Sequence, residues 1–359
     1  MPANKSESNS MRSVGFICED AAMPRTVFYE RFKGAVCRNP AYRENGADLL
    51  IPAEDTANET NWPRYGNPDS AYVRGSRPDL SNEGIFFRYM DGIARYAYEH
   101  NERRVLIVNM HPFLRLPVTF KPLANVIVAD GSLANFERAL NPRTISIPAL
   151  PLVTEPANAR HRDVLASFQG APSHPLRHIL ARLHDGKDFV IKLVDTSAYA
   201  GRIDMEGGAT DGEYESLLDR SVFAFVPRGD ALFSYRLLET MARGAIPVVL
   251  SDGWVLPFDR LIDWANCSVR FHHEAVHRIP ETLRAFMPED ILRMQRNVRG
   301  VYARVFANLD RIVASLFEEA AILVDGKKEV SQRIQGFFVS LMSPFVFFLT
   351  PLSLLFTDS

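Results

Sequence analysis

Two arginines, a glycine and a glutamate stand close together past the middle of the chain, as Arg228-Gly229, Arg236 and Glu239. These residue types suit one chemistry. Guanidinium groups offer forked donors matched to phosphate oxygens, and a glycine lets backbone approach a ligand closely. A carboxylate one turn into a helix can accept from both hydroxyls of a ribose. A second set, Ser251-Asp252-Gly253-Trp254, puts small polar residues before a ring able to line a base or a sugar. The spacing also admits a plainer reading. Arg236, Glu239 and Arg243 lie opposite Leu237, Leu238 and Met241 on a helical wheel. They therefore also fit a solvated ion-pair ladder, worth about 0.2–0.5 kcal/mol per pair.

The elements that must position these residues alternate strand with helix. Residues 222–226 read as a strand feeding Pro227-Arg228-Gly229-Asp230, and 234–243 as a helix stopped by Gly244. Residues 164–168, 189–194, 246–250 and 268–271 read as further strands. Helices are expected at 176–184, 213–218 and 289–308. This order predicts a parallel sheet covered on both faces, with ligands bound at the carboxyl ends of its strands. A helix N-terminus there would add partial positive charge. Upstream, residues 13–17, 26–32 and 48–51 are β-like, 84–100 has helical spacing, and 105–108, 126–129 and 145–147 suit buried strands. The Pro-rich stretch 148–156 is the natural linker. The expected organisation is a disordered start at 1–12, an α/β domain at 13–155, a second at 156–325, and a tail at 326–359.

Composition removes several function classes. A formal net charge of −2 leaves no broad electrostatic basis for binding nucleic acid. Hydrophobic residues at 47% over 359 positions allow two packed cores. No GxGxxG follows a strand, which argues against a dinucleotide site. Cys18, Cys37 and Cys267 form no CxxC pair and no complete disulfide framework, leaving Cys18 and Cys37 either paired in an oxidising compartment or as two free thiols, and of the sequons at Asn4, Asn58 and Asn266 only Asn58 is a credible glycan site. No metal is expected: Asp204-Met205-Glu206 only loosely imitates a DxD motif, and His272-His273, if on a strand, would point to opposite faces. The start of the chain has no apolar run, so no signal is visible there. Residues 336–356 carry no charge and are just long enough to span a bilayer, although Pro344 and Pro351 interrupt them.

The run from Phe223 to Phe258 closely resembles the exostosin family of glycosyltransferases. The family's spacing continues through Leu261–Trp264, Ser268-Val269 and Ile279–Arg284, and Ala166–Gly170 fits it upstream. The resemblance implies a GT-B fold, an α/β architecture of two Rossmann-like domains facing a cleft. It implies inverting transfer from a UDP-sugar, such as UDP-glucuronate, UDP-galactose or UDP-xylose, to a glycan or glycoprotein acceptor. By position Arg228, Ser234, Arg236 and Glu239 match the family's donor-binding motif, while Asp252 departs from the usual Asn before Gly-Trp. Inversion needs a base. His111, Asp130 and Asp195, each after a strand, are the candidates. Arginines can stabilise the departing diphosphate, so a metal-independent reaction without a cofactor is expected. The resemblance further implies a lumenal place at a Golgi or endoplasmic reticulum membrane and a family-member homo- or heterodimer. A catalytically silent partner subunit is the alternative. The family's N-terminal anchor and stem are not visible, so a longer start is expected.

Overall fold

The computed structural model describes residues 14–17, 27–43, 49–52, 97–99, 101–102, 104–109, 116–149, 161–194 and 212–325. They form two five-stranded parallel sheets. The first holds β1 (Val14–Ile17), β2 (Leu49–Pro52), β3 (Arg104–Asn109), β4 (Val126–Asp130) and β5 (Thr144–Ser146), side by side in chain order. Its helices are α1 (Val27–Arg38), α2 (Leu116–Thr119) and α3 (Asn135–Leu140). Every residue of β4 is buried, as a strand covered on both faces must be.

Helix α1 corrects the β-like reading of residues 26–32. Phe32, Ala35 and Val36 are buried at positions i, i+3 and i+4, a helical stripe. The β-branched and aromatic residues at the start of that run suggested a strand because so short a window cannot display a 3.6-residue period.

The second sheet contains β6 (Val164–Gly170), β7 (Phe189–Leu193), β8 (Ser221–Pro227), β9 (Ile246–Leu250) and β10 (Val269–Arg270), in the spatial order β10-β9-β8-β6-β7. The helices between them are α4 (Pro175–Ala181), α5 (Gly212–Arg220) and α6 (Arg236–Ala242). Gly244 ends α6 with φ +69°, the left-handed conformation expected one residue past a helix. Next come α7 (Ile279–Arg284) and α8 (Pro288–Val301), which leads into a π-helical turn at Tyr302–Phe306. The long helix expected at 289–308 thus ends earlier as α-helix.

A final helix, α9 (Leu309–Asp325), was not foreseen. It buries Ile312, Val313, Leu316, Phe317 and Ala320 and packs against α1 of the first half, where Arg38 pairs with Asp310 at 2.6 Å. The end of the second expected domain therefore returns to the first.

The carboxyl edges of the two sheets meet. Past β4, the Leu133 carbonyl accepts from Val255 N at 3.0 Å, and Asn135 N donates to the Gly253 carbonyl at 2.7 Å. Ser132 Oγ accepts from Leu232 N at 3.2 Å, and Ser146 Oγ donates to the Val255 carbonyl at 2.6 Å. Phe258, with φ +50°, donates its N–H to the Ser146 carbonyl at 2.8 Å while its ring stacks on Phe306. Arg138 pairs with Asp259 across the seam at 2.5 Å, and Arg260 crosses it by donating to the Thr144 carbonyl at 2.8 Å while also meeting Glu319 at 2.7 Å.

Glu319 is fully buried on α9, and its Oε2 has no partner among the described residues. Burial outweighs Arg260 and pushes its carboxyl up from 4.5 to about 7. A carboxyl raised on folding keeps its proton where the unfolded chain has lost it. Its contribution to stability is therefore full below pH 4.5 and is lost as pH rises to about 7, amounting to roughly 3 kcal/mol. Glu319→Gln should flatten this part of the stability profile, as denaturant unfolding at about pH 5 and about pH 8 would show. An equal pH slope in both proteins would contradict the assignment.

Candidate active site

In the order β10-β9-β8-β6-β7, β6 and β8 are neighbours, but the chain leaves them toward opposite edges of the sheet. Such a topological switch point opens a crevice at the carboxyl ends of the two strands. Here the crevice lies between the loop after Gly170 and the loop Arg228–Tyr235.

Arg177, on α4, ties the two loops together. Its Nε donates to the Arg228 carbonyl at 3.0 Å, Nη1 to the Ala171 carbonyl at 2.9 Å and Nη2 to the Pro227 carbonyl at 3.3 Å. The approach is close enough that a Cβ on Gly229 would stand 3.2 Å from Arg177 Nη2 and 3.1 Å from Ser173 Oγ. His174 caps α4 by accepting from Leu176 N, and burial, then Arg228 and Arg177, lowers its pKa. The crevice wall is thus cationic through its arginines while its histidine stays neutral near pH 7.

Arg236 opens α6. It hydrogen-bonds the Gln169 carbonyl through Nε at 2.9 Å and forms an ion pair with Glu239 through Nη1. Its guanidinium lies 4.5 Å from the centroid of the Tyr214 ring. Nη2 stands 3.4 Å from where a Gly170 Cβ would be, so that edge of the guanidinium faces the bare glycine of the crevice. Glu239, 1% exposed, accepts at Oε2 from both Arg236 and the Tyr214 hydroxyl, the latter at 2.7 Å. Burial works against the charge on Arg236, but Glu239 and then Tyr214 overcome it and hold the guanidinium protonated more firmly than usual. Burial also pushes the Tyr214 hydroxyl well up, so it stays a donor.

This arrangement excludes the solvated ladder. Residues 237–242 are all buried, and Arg243 turns away to Asp219 at 2.5 Å. It also changes the electrostatic account. With only seven residues, α6 contributes little macrodipole, and the positive charge at the crevice is that of the guanidinium groups. Ser234 is buried just ahead of the helix.

The set Ser251–Trp254 belongs elsewhere. Trp254 is 1% exposed in the core and forms a bridge with Ala134, so its ring lines no ligand surface. Ser251 is buried and donates to the Leu232 carbonyl at 2.7 Å. Gly253 takes φ +77° and accepts from Asn135. These residues build the seam between the halves; a strand end rich in small polar residues serves a tight interdomain turn as readily as a ligand.

Among the candidate bases, Asp130 is 2% exposed and accepts from Asn109 Nδ2 at 2.6 Å and Ser132 N at 2.7 Å. It braces the turn after β4. His111 and Asp195 lie outside the described residues, as do the apolar segment 336–356 and the sequon at Asn58. No described helix is long and apolar enough to cross a membrane.

The premise about His272 and His273 is also corrected. Strand β10 stops at Arg270, and His272 caps a 3₁₀ turn at His273–Arg278. Off the strand, both rings turn toward Asp252, with centroids 4.3 Å apart.

Three residues of the crevice were missed by sequence reasoning: Gly170, Arg177 and Tyr214. Gly170 carried a signal, a glycine at a strand end in the matched Ala166–Gly170 segment. Arg177 and Tyr214 carried none, because each acts through contacts from a separate element.

Two α/β sheets with facing carboxyl edges and an arginine-lined crevice at a switch point define the GT-B class of architecture. The chain belongs to the exostosin family: the model of the Exostosin GT47 domain matches residues 103–286, slightly more than half its length. Exostosin-1 of Drosophila melanogaster is 33% identical over 177 residues, covering 45% of this chain and 23% of that protein. The Exostosin-1 homolog of Caenorhabditis elegans is 30% identical over 188 residues, 48% of each chain. The match thus spans half or less of these relatives. Among solved structures, a glycosyltransferase from Rickettsia africae aligns with a TM-score of 0.40 and 13% identity, covering 89% of this chain and all of that one.

Proposed function

We propose that this chain is a glycosyltransferase that moves a sugar from a UDP-sugar to a glycan or glycoprotein acceptor with inversion. In this reading the diphosphate lies between Arg228 and the Nη2 edge of Arg236, and Glu239, whose Oε2 is held by Arg236 and Tyr214, offers its other oxygen to a ribose hydroxyl. The acceptor oxygen, losing its proton to a base, attacks the anomeric carbon from the face opposite the diphosphate. The bond to the diphosphate breaks, and the two guanidinium groups take up the charge that develops on UDP. Removing one such donor typically costs about 10²–10³ in rate. The reaction as proposed draws on no metal. A lumenal Golgi or endoplasmic reticulum location and pairing with a family member are further parts of the proposal.

The observation that carries it is the orientation of Arg236, fixed by Gln169, Glu239 and Tyr214 toward Gly170. The test is incubation with UDP-glucuronate, UDP-galactose and UDP-xylose plus acceptor glycans, reading UDP release. One donor should be consumed. A second reading, a silent subunit supporting an active transferase, is favoured by the burial of Asp130. UDP binding without release from any donor would select that reading, and absence of both would end the proposal.

A further inference from the structure

At the carboxyl edge of the second sheet, Asp252 follows β9, and His272 and His273 follow β10. All three contribute ligand-type atoms within 4.8 Å of one another. Asp252 Oδ2 is the meeting point: His272 Nε2 stands 3.4 Å away, and His273 hydrogen-bonds the same oxygen through Nδ1. Two ligands at about 2.1 Å from a tetrahedral ion stand about 3.4 Å apart, so small side-chain rotations would admit a cation. We propose that Asp252, His272 and His273 form a binding site for a first-row divalent transition ion such as zinc.

The residue types select the class of ion. Two imidazoles and one carboxylate suit Zn²⁺, Fe²⁺ or Co²⁺, whereas Mg²⁺ and Ca²⁺ prefer oxygen ligands throughout. The side chains of Asp252, His272 and His273 are 30%, 42% and 55% exposed, so an ion can enter and keep water in its remaining positions. An outer partner is present as well. His272 Nδ1 lies 3.7 Å from Glu274 Oε2 and receives the Glu274 N–H at 3.4 Å. With an ion on Nε2, Nδ1 carries the proton, gives up the Glu274 N–H and donates to the Glu274 carboxylate instead, the usual support for a metal-bound histidine.

The backbone holds the carboxylate in place: Asp252 Oδ2 also accepts from His273 N at 3.2 Å, so the oxygen that would meet the ion is already turned toward both rings. The proposal does not depend on the sugar-transfer reading.

The test uses the full chain, free of any histidine tag and stripped with chelator, titrated with Co²⁺ while visible absorption is followed. Wild type should take up one Co²⁺ with d–d bands, and Zn²⁺ should displace it. Asp252→Asn, which keeps an oxygen to accept from His273 N, and His273→Gln should each weaken binding by about tenfold or more. Zn²⁺ should raise the thermal midpoint of wild type but not of either variant. Equal cobalt uptake by wild type and the Asp252→Asn/His273→Gln double variant, or no uptake by folded wild type, would overturn the proposal.

Discussion

Arg236→Ala should weaken UDP binding by about 10- to 100-fold, since hydrogen bonds to charged groups contribute about 1.5–3 kcal/mol each. The arginine is set for this task by its neighbours. Nε and Nη1 are engaged by Gln169 and Glu239, and Nη2 stands toward Gly170. Arg236→Lys should not recover the loss, because an ammonium cannot hold the backbone carbonyl, the carboxylate and a phosphate in one plane. Glu239→Ala removes the carboxylate that orients Arg236 and leaves a partly buried guanidinium without its counter-charge, so it should lower stability as well as UDP affinity. Glu239→Gln keeps an acceptor for Tyr214 and should be milder on folding while still weakening UDP. Arg220→Ala breaks only an exposed pair with Asp163 and serves as the unaffected control. Calorimetry with UDP separates these cases. Equal affinity in wild type and Arg236→Ala would remove Arg236 from the site.

Trp254→Ala should destabilise the protein by about 3–5 kcal/mol, the usual cost of emptying a buried aromatic site. Trp254 lies where Ala134 of the first half meets the turn after β9, so the cavity would open in the seam itself. Trp254→Phe should cost clearly less: it retains most of the buried surface and removes an indole N–H that has no partner among the described residues. Neither substitution should change UDP affinity in the folded protein. If the ring instead lined a base, Trp254→Phe would weaken UDP at nearly constant stability. Urea unfolding together with UDP titration distinguishes the two outcomes.

The strands of the second sheet were legible because each is a short apolar run ending at polar or glycine residues, as in 222–226 and 246–250. The stop of α6 at Gly244 was legible for the same local reason, a glycine free to take positive φ. Arg236 and Glu239 could be singled out by type and spacing, but spacing alone left the surface ladder equally open. Only Tyr214 and Gln169, brought in by α5 and β6, settle which way the pair faces. Trp254 and Ser251 were misread for a related reason. Their strand end points at the other domain, a relation between distant segments that no local period records. Helix α9 carried a local signal, the stripe Ile312, Val313, Leu316, Phe317 and Ala320, that sequence reasoning passed over; only its packing on α1, nearly the whole chain away, was illegible. His272 and His273 were misjudged by one step of strand length, since β10 stops at Arg270 and alternation no longer applies.

The most direct measurement is an experimental structure of the full chain with UDP bound. Diphosphate density between Arg228 and Arg236, at the carboxyl ends of β6 and β8 with a ribose hydroxyl on Glu239, is the predicted result. Density elsewhere on the chain, with the Arg236–Glu239 pair untouched, would contradict it.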